Sequence, residues 1–367
     1  MKRFLLIFAA FTLAPFTNFG ADTDAGTWKW SLAGQNGETI LKLKARLWYV
    51  HKGIEKLFER RTPAAGLPLA ERVSGDTAVG HTLAYTRALE DAADIHLGTR
   101  TQAARALLLE VERLYNHVTD LGALCNDVGH GILNTHAARI REQLLRLNAD
   151  TTGHRLLRGG VIPGGARLRN RPDPKHLRAI AEDVAHLVDL ALGHTVVRDR
   201  FTATAPLTRD QARELGTLGY VARASGLDID ARRDHRANPD LPTPPSVTET
   251  GGDVLARFQI RAQEFQASVD HIAQLSTLIY ASGVDDAPDR IATPARPCSG
   301  VGIAEGWRGT IVHRVEIARD GTLDRVKIVD PSFFNWPALP VALTGAIVPD
   351  FPLVNKSFNL SYAGNDL

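Results

Sequence analysis

Residues 101–132 read TQAARALLLEVERLYNHVTDLGALCNDVGHGI, and their apolar side chains recur in alternating steps of four and three. The stripe consists of Leu107, Val111, Leu114, Val118, Leu121, Cys125, Val128 and Ile132. This spacing follows the 3.6-residue turn of an α-helix and predicts a long helix with one buried face. Gly129 and Gly131 predict a kink or break, after which residues 134–148 continue as a second packed helix.

Other parts of the chain predict further helices and one antiparallel sheet element. Apolar spacing indicates helices at 175–199, 207–222 and 253–284, a hairpin that runs into a helix over 27–50, and a short helix near Trp336. Residues 310–318 and 323–329 alternate as strands around a turn at 319–321. The predicted fold class is mainly α with a smaller antiparallel β part (α+β), in one domain over residues 27–367.

The composition excludes several classes of protein. Lys and Arg number 43 and Asp and Glu 41, and a net charge of +2 does not favour a nucleic-acid partner. Only two cysteines occur, Cys125 and Cys298, and they form no C-x-x-C pair. Cys125 lies on the apolar stripe, which favours a buried structural thiol. Any iron-sulfur cluster must therefore belong to a partner subunit.

Residues 1–26 form a separate leader. MKRFLLIFAAFTLAPFTNF has two basic residues followed by a short apolar run, which is the layout of a secretory signal. The run is too short to span a bilayer. Export and a misassigned gene start both remain open.

Two loops are candidates for function. In ERVSGDTAVGHT, residues 71–82, small polar side chains could cradle a phosphate, present a nucleophilic serine, or occupy the place of something lost. In RLLRGGVIPGGARLR, residues 155–169, paired glycines could bind an anion, but no phosphate-binding fingerprint surrounds them. We interpret the second loop as a structural turn.

Four short motifs resemble those of nickel-iron hydrogenase large subunits. Arg72-Val73-Ser74-Gly75-Asp76-Thr77, with His81 behind it, resembles R-x-C-G-x-C, and Asp330-Pro331-Ser332-Phe333-Phe334-Asn335 resembles D-P-C-x-x-C. KGIE resembles R-G-x-E, and EGWRG resembles E-x-x-R-G. From about residue 30 to 367 the chain resembles the branch shared with the 49 kDa subunit of respiratory complex I. It is most similar to the hydrogenase-4 or formate-hydrogenlyase (group 4) type, which implies a hydrogenase-large-subunit-like helical core.

The resemblance implies that four metal-ligand positions are vacated. Ser74, Thr77, Ser332 and Asn335 stand where the family has cysteines. Nickel and low-spin iron need soft thiolates, so hydrogenase activity is not expected. A helix cap is the alternative role for Ser74 and Thr77. Glu55 corresponds to a magnesium-ligand glutamate, but Ala338 stands where the expected histidine would be.

Two further residues are candidates for the cleft. Arg308 resembles the hydrogenase arginine beside the iron's diatomic ligands, and its alternative role is an ion pair with Glu305 or another acid. His81 is either a cleft residue or a hydrogen-bonded residue at a helix start. Quinone binding by the usual complex I pair is in doubt, because Gly75 lies near the tyrosine position and the G-P-x-H loop is missing.

The implied function is that of a large subunit in a membrane-associated, complex I-like (NADH-quinone oxidoreductase-like) or energy-converting-hydrogenase-related oxidoreductase. With an iron-sulfur small subunit it would form a cleft that passes electrons to quinone or a similar acceptor. No cofactor is expected in this chain itself. Other hydrophilic-arm and membrane-arm subunits are expected partners, and the cytoplasmic face of the inner membrane is the expected location. The alternatives are a non-catalytic scaffold and a non-functional product.

Overall fold

The computed structural model describes residues 39–281 and 296–367. The leader and the predicted hairpin at 27–38 lie outside these residues. In chain order the α-helices and β-strands are α1 Ile54–Phe58, α2 Pro63–Ala70, α3 Ala78–Ala92, α4 Thr99–Asp127, α5 Gly131–Thr152, β1 Val161–Ile162, β2 Gly165–Ala166, α6 Pro174–Gly193, α7 Thr195–Phe201, α8 Arg209–Glu214, α9 Gly219–Ala224, α10 Ala231–Asp234 and α11 Val254–Ala281. The chain continues with β3 Cys298–Gly306, β4 Gly309–Ile317, β5 Leu323–Val329, α12 Pro331–Asn335, α13 Ala338–Ala342, α14 Phe351–Phe358 and α15 Tyr362–Asp366. The predicted α+β class is confirmed.

The long helix α4 forms the centre of the core. It packs against α11 on one side and α5 on another. The predicted stripe from Leu107 to Cys125 is fully buried. The chain leaves the helix at Gly129, which has a φ of +84°, and Ile132 beyond the break is 70% exposed. The break was predicted, but the placement of Ile132 on the buried face was wrong, because the non-helical backbone at Gly129 and His130 interrupts the helical register.

The sheet has the antiparallel order β3-β4-β5, and its hairpin at 319–321 agrees with the predicted turn. Strand β3 lies directly on α3. A Cβ atom at Gly302 would come within 1.9 Å of the Ala84 carbonyl oxygen, and one at Gly300 within 2.2 Å of the Ala88 carbonyl oxygen. The two glycines therefore let the strand approach the helix backbone, which brings the ends of β3, β4 and β5 close to the start of α3.

Three predicted helices need correction. Residues 39–50 contain no helix: Thr39 bridges Ile347, and the amide of Ile40 donates to the Ala346 carbonyl at 2.7 Å. This long-range pairing buries Ile40, so tertiary contacts override the local pattern. The segment 175–199 divides at His194, which has an extended ψ of 116°. The segment 207–222 divides into α8 and α9, because the chain turns through Gly216 and Gly219 with positive φ.

The remaining predictions for local structure agree with the observed elements. The paired glycines at 159–165 form a turn that carries the two-residue strands β1 and β2. Helix α11 occupies the predicted segment up to Ala281, and the strands β4 and β5 match 310–318 and 323–329 within one residue. Two short helices, α12 and α13, flank Trp336 where one was predicted.

Candidate functional site

The fold brings the two motif loops together. The turn 71–77 precedes α3, and β5 delivers Asp330 to the start of α12. Ser74 Oγ lies 2.9 Å from Ser361 Oγ, and the Ser361 amide donates to Ser332 Oγ at 2.9 Å. Ser361 precedes α15, so a third segment of the chain joins the two loops. Residues separated by more than 250 positions in sequence thus share one hydrogen-bonded junction.

Arg308 and Asp76 form an ion pair beside this junction. The guanidinium donates from Nη1 to Asp76 Oδ1 at 2.7 Å and from Nη2 to Oδ2 at 2.6 Å. Its Nε donates to the Asn359 carbonyl at 2.6 Å. Such a two-pronged contact is the strongest geometry for an arginine and a carboxylate. Arg308 is therefore paired with an acid, as its alternative role required, but the acid is Asp76 and not Glu305.

The ion pair fixes the protonation state of Asp76. Burial raises the pKa of this carboxyl, but the Arg308 charge and hydrogen bonds from Arg308, Ser74 and Thr77 outweigh it and hold the pKa at about 2. Ser74 Oγ donates to Oδ1 at 2.9 Å and Thr77 Oγ1 at 3.0 Å. Asp76 is thus a carboxylate that organises both hydroxyls of its loop. Its side chain remains 38% exposed, so the charge reaches the surface.

Asn335 forms its hydrogen bonds with a different part of the chain. Its Oδ1 accepts from the Leu218 amide at 2.8 Å, and its Nδ2 donates to the Leu218 carbonyl at 3.2 Å. The amide therefore binds both polar groups of one backbone residue, just before α9. Three of the four predicted ligand positions meet in the serine and Asp76 network, and the fourth ties α12 to the α8–α9 turn.

The side chains at these positions do not fit a nickel-iron centre. Ser74, Thr77, Ser332 and Asn335 are each at most 4% exposed. Each one forms at least one hydrogen bond with protein groups. Neutral hydroxyls and an amide are poor donors for soft metals that require thiolates. Within residues 39–281 and 296–367, moreover, no three His, Cys, Asp or Glu side chains stand together as metal ligands.

His81 lies in a buried chain of polar groups behind the junction. Its Nε2 lies 3.1 Å from Asp330 Oδ2, and its Nδ1 lies 3.1 Å from His313 Nε2. Asp330 Oδ1 also accepts the Ser332 amide at 2.8 Å. Burial raises the pKa of Asp330, but its contacts with His81 and Ser332 bring the net pKa below the ordinary value. His81 is thus a hydrogen-bonded residue near the start of α3. Its contact with Asp330 also connects this helix with the second motif loop.

His313 was missed by the sequence reasoning. It lies on β4, where residues 311, 313, 315 and 317 face the core. Burial, and then the proximity of His81, lower its pKa well below the ordinary value, so it is a neutral imidazole. Its Nδ1 has no hydrogen-bond partner in the described part of the chain. The sequence signal that could have identified it is a histidine at a position where the alternation of the strand otherwise places apolar residues.

Glu55 stands apart from the junction. Its Oε1 accepts the Ile328 amide at 3.0 Å, and its Oε2 pairs with the Lys327 ammonium. A lysine neighbour disfavours a cation at this carboxylate. The predicted magnesium role therefore gains no support from the neighbours of Glu55. Cys125 is buried, which raises its pKa to about 12, as expected for a structural thiol.

Comparison with known proteins identifies the family. A family model described as "Respiratory-chain NADH dehydrogenase, 49 Kd subunit" matches residues 127–300. One of the subunits of F(420)H(2) dehydrogenase from Methanosarcina mazei is 30% identical over 346 residues, which cover 88% of this chain and 89% of that protein. This chain belongs to the large-subunit family that includes the 49 kDa subunit.

Two further relatives are named as subunits of a formate hydrogenlyase and of a hydrogenase. Formate hydrogenlyase subunit 5 of Escherichia coli is 32% identical over 343 residues, and hydrogenase-4 component G of Escherichia coli is 30% identical over 346 residues. Each match covers 90% of this chain, but the chain spans only 59% and 58% of their respective lengths. These relatives confirm the resemblance to group 4 large subunits.

A solved structure has the same fold. A chain of the membrane-bound sulfane sulfur reductase, an archaeal respiratory membrane complex, superposes with a TM-score of 0.79 at 24% identity, with 90% of this chain and 92% of that chain covered. The superposition shows that the two chains share one fold over most of their lengths. No helix in the described ranges 39–281 and 296–367 is long and apolar enough to cross a lipid bilayer.

Proposed function

We propose that this chain is the large subunit of a membrane-associated, complex I-like or energy-converting-hydrogenase-related oxidoreductase. The observation that carries the proposal is the match to the F(420)H(2) dehydrogenase protein over 88% of this chain, with the two motif loops meeting in the fold. The chain forms one wall of a redox cleft and an iron-sulfur small subunit forms the other. Electrons pass from the partner's cluster to quinone or a similar acceptor.

The exposed residues of the motif loops support a partner at this face. Ser74 and Ser332 are buried, whereas Gly75 between the first pair of ligand positions is exposed. Phe333 and Phe334, between the second pair, are 51% and 39% exposed, and their rings contact each other edge-on. Exposed aromatic residues are enriched where proteins bind one another. The proposed partner covers these residues, and the subunit is peripheral on the cytoplasmic face of the inner membrane.

The chemistry of the cleft does not include nickel-iron catalysis in this proposal. The four ligand positions carry no thiolate, and their side chains are occupied by protein contacts. This chain binds no cofactor of its own, and the redox centre belongs to the partner. The carboxylate of Asp76 supplies a fixed charge at the surface of the cleft, and the buried guanidinium of Arg308 lies behind it.

A non-catalytic scaffold is the second candidate. It is favoured by the number of contacts that Arg308 already makes: all three of its nitrogen atoms donate to Asp76, Thr77 or Asn359. An arginine with this set of partners can hold the junction of the two loops without binding any acceptor. In this case the subunit keeps its interfaces and transmits conformational changes.

Substitution of Arg308 distinguishes the two functions. In the purified complex, we expect Arg308→Ala to retain the small subunit and to lower quinone-dependent turnover about ten- to a hundredfold, because a charged contact contributes about 1.5–3 kcal/mol. Arg314→Ala is the matched control, since Arg314 lies on β4, the strand that begins directly after Arg308, and pairs with Glu316 at the surface. Turnover and co-purification are measured on the same preparation.

Each outcome of this experiment decides one point. Normal assembly with normal turnover in Arg308→Ala would remove Arg308 from the cleft. Undetectable quinone-dependent turnover in the unmutated and fully assembled complex would favour the scaffold. Loss of the small subunit from Arg308→Ala, but not from Arg314→Ala, would show that Arg308 acts on the interface.

A further inference from the structure

A buried charge cluster that includes residues of α4 contains none of the groups that the proposed function uses. Its members are the carboxyls of Glu110, Asp230, Glu264 and Glu305 and the guanidinium groups of Arg113, Arg223 and Arg232. These side chains are at most 2% exposed, except for Arg232 at 13%. They come from α4, α9, α10, α11, β3 and the residue before α10. The cluster joins the two longest helices, α4 and α11, to β3 and to the short helices α9 and α10.

The cluster contains one carboxyl more than it has guanidinium groups. Two histidines lie beside it, His117 in contact with Glu264 and His271 near Glu110, but burial lowers the pKa of both, that of His117 to about 4. They are therefore neutral near pH 7 and add no positive charge. An unbalanced negative charge in a dry interior is costly, and such a group takes up a proton instead. One bound proton would therefore balance the charge of the cluster.

Glu305 has the weakest set of partners among the four carboxyls. Its Oε1 accepts from Arg223 Nη1 at 3.0 Å, but Arg223 also donates from Nε to Glu264 at 2.7 Å. Arg113 reaches Glu305 only through its backbone carbonyl, at 3.0 Å. The carboxylate of Asp230 repels a charge on Glu305, and this effect is larger than the opposing effect of Arg223 or of Arg113. Burial, and then Asp230, raise the pKa of Glu305 above its ordinary value.

The other three carboxyls are better compensated. Glu264 contacts Arg113, Arg223 and His117. Glu110 contacts Arg113, and both of its oxygens accept from Arg232; Asp230 is paired with Arg232 through both oxygens. For Glu110 and Asp230 burial alone would raise the pKa, but the arginines lower it below the ordinary value. The proton therefore belongs to Glu305.

A cavity of about 210 Å³ that is open to the surface lies next to two residues that contact Glu305. Thr310 and Ala231 line it, and both contact Glu305 Oε2: Thr310 Oγ1 lies at 2.7 Å, and the Ala231 amide donates at 3.2 Å. Asp234 and His235, which are exposed, also line the cavity, and the rest of its lining is apolar and includes Phe334, which the proposed partner covers. A space of this size with polar groups holds several water molecules. The Thr310 hydroxyl, which can donate or accept, is the group between the carboxyl and this space.

We propose that the buried charge cluster is a proton-binding site, that Glu305 holds its proton, and that the cavity beside Thr310 connects Glu305 with water. The proton moves between Glu305 Oε2 and the Thr310 hydroxyl, and a water molecule in the cavity accepts or returns it. No electrons are transferred in this step. Reduction of a quinone consumes two protons, so the site would supply what a redox cleft needs; only this link rests on the proposed function.

Infrared difference spectroscopy of the purified complex tests the proton on Glu305. Near pH 7 a free glutamate is ionised, with a pKa of about 4.3, so a protonated carboxyl band at that pH reports a perturbed group. Glu112, whose pKa burial raises to about 8, contributes a second such band. We expect Glu305→Gln to remove one band and Glu112→Gln the other. Because the amide of glutamine matches a protonated carboxyl in shape and charge, Glu305→Gln is expected to assemble normally.

Two substitutions of Thr310 test the route. After transfer to deuterated water, we expect Thr310→Val to slow the isotope shift of the Glu305 band at least tenfold, whereas Thr310→Ser, which keeps the hydroxyl, retains the rate of the unmutated complex. Absence of the Glu305 band near pH 7 would overturn the proton assignment. Failure of Glu305→Gln to assemble would also overturn it, because a site that holds a protonated carboxyl should accept its neutral isostere. An unchanged exchange rate in Thr310→Val would overturn the route. None of these readouts depends on turnover.

Discussion

Glu264→Gln is expected to destabilise the full-length chain by about 3–5 kcal/mol, because removal of one partner leaves buried charges uncompensated. Glu264 Oε1 accepts from Arg223 Nε at 2.7 Å, and its Oε2 accepts from His117 Nε2 at 2.8 Å and from Arg113 Nη1 at 3.4 Å. Burial raises the pKa of Glu264, but Arg223, His117 and Arg113 together hold it well below the ordinary value. The residue is a carboxylate, so the amide removes a full charge.

The proton on Glu305 limits but does not cancel this effect. If Glu264 becomes neutral, Glu305 can release its proton and compensate Arg223, which it contacts at 3.0 Å. Its carboxylate acts on Arg113 through charge only, without the direct contact that Glu264 makes with Arg113 at 3.4 Å. We therefore expect a value near the lower end of the range, about 3 kcal/mol.

Urea unfolding of the two variants provides the comparison. Glu142→Gln is the matched control, because Glu142 also accepts hydrogen bonds from two arginines, Arg146 and Arg155, but on the surface. We expect no measurable change in the unfolding midpoint of this control. Equal midpoints for Glu264→Gln and the unmutated chain would show that the cluster does not depend on the charge of Glu264.

Gly219→Ala is expected to destabilise the junction of the motif loops. Gly219 has a φ of +64°, and a Cβ atom there would lie 1.9 Å from the Arg308 carbonyl oxygen. The left-handed backbone costs a residue with a side chain about 1–2 kcal/mol. Overpacking adds about 1–3 kcal/mol, because the neighbour is backbone and cannot rotate away. The preceding residue, Leu218, binds Asn335, so the displacement also affects α12.

A second glycine separates backbone strain from the clash. Gly345 has a φ of +84°, and a Cβ atom there would meet nothing within 4 Å. Gly345→Ala should therefore lose only the strain, about 1–2 kcal/mol. Unfolding midpoints of the two variants in the full-length chain give the difference. A loss in Gly219→Ala no larger than that in Gly345→Ala would contradict the close contact with Arg308.

Much of the fold could be predicted from apolar periodicity. The stripe of α4 and the alternation of β4 reflect burial against neighbouring elements, and both are recorded in the order of the side chains. The segment 39–50 was mispredicted because its conformation is set by pairing with residues 345–347. A local pattern contains no information on that partner. The break between α8 and α9 was missed for another reason, because Gly216 and Gly219 were a local signal that the prediction did not use.

The candidate site was predictable in its parts but not in its pairings. The motifs identified Asp76 and Arg308, yet their contact joins residues 232 positions apart. The charge cluster was missed although Glu110, Arg113 and His117 follow helical spacing next to the apolar stripe of α4. Charged residues with that spacing usually face solvent. Their burial here depends on Arg223, Asp230 and Glu264, which come from other parts of the chain.

Metal analysis of the purified complex tests the central claim most directly. The claim is that the side chains at the predicted ligand positions form hydrogen bonds within the protein and bind no nickel-iron centre. These residues are Ser74, Thr77, Ser332 and Asn335. The account predicts iron from the partner subunits' clusters and no stoichiometric nickel, because neutral hydroxyls and an amide cannot replace thiolates. One nickel atom per chain would contradict it.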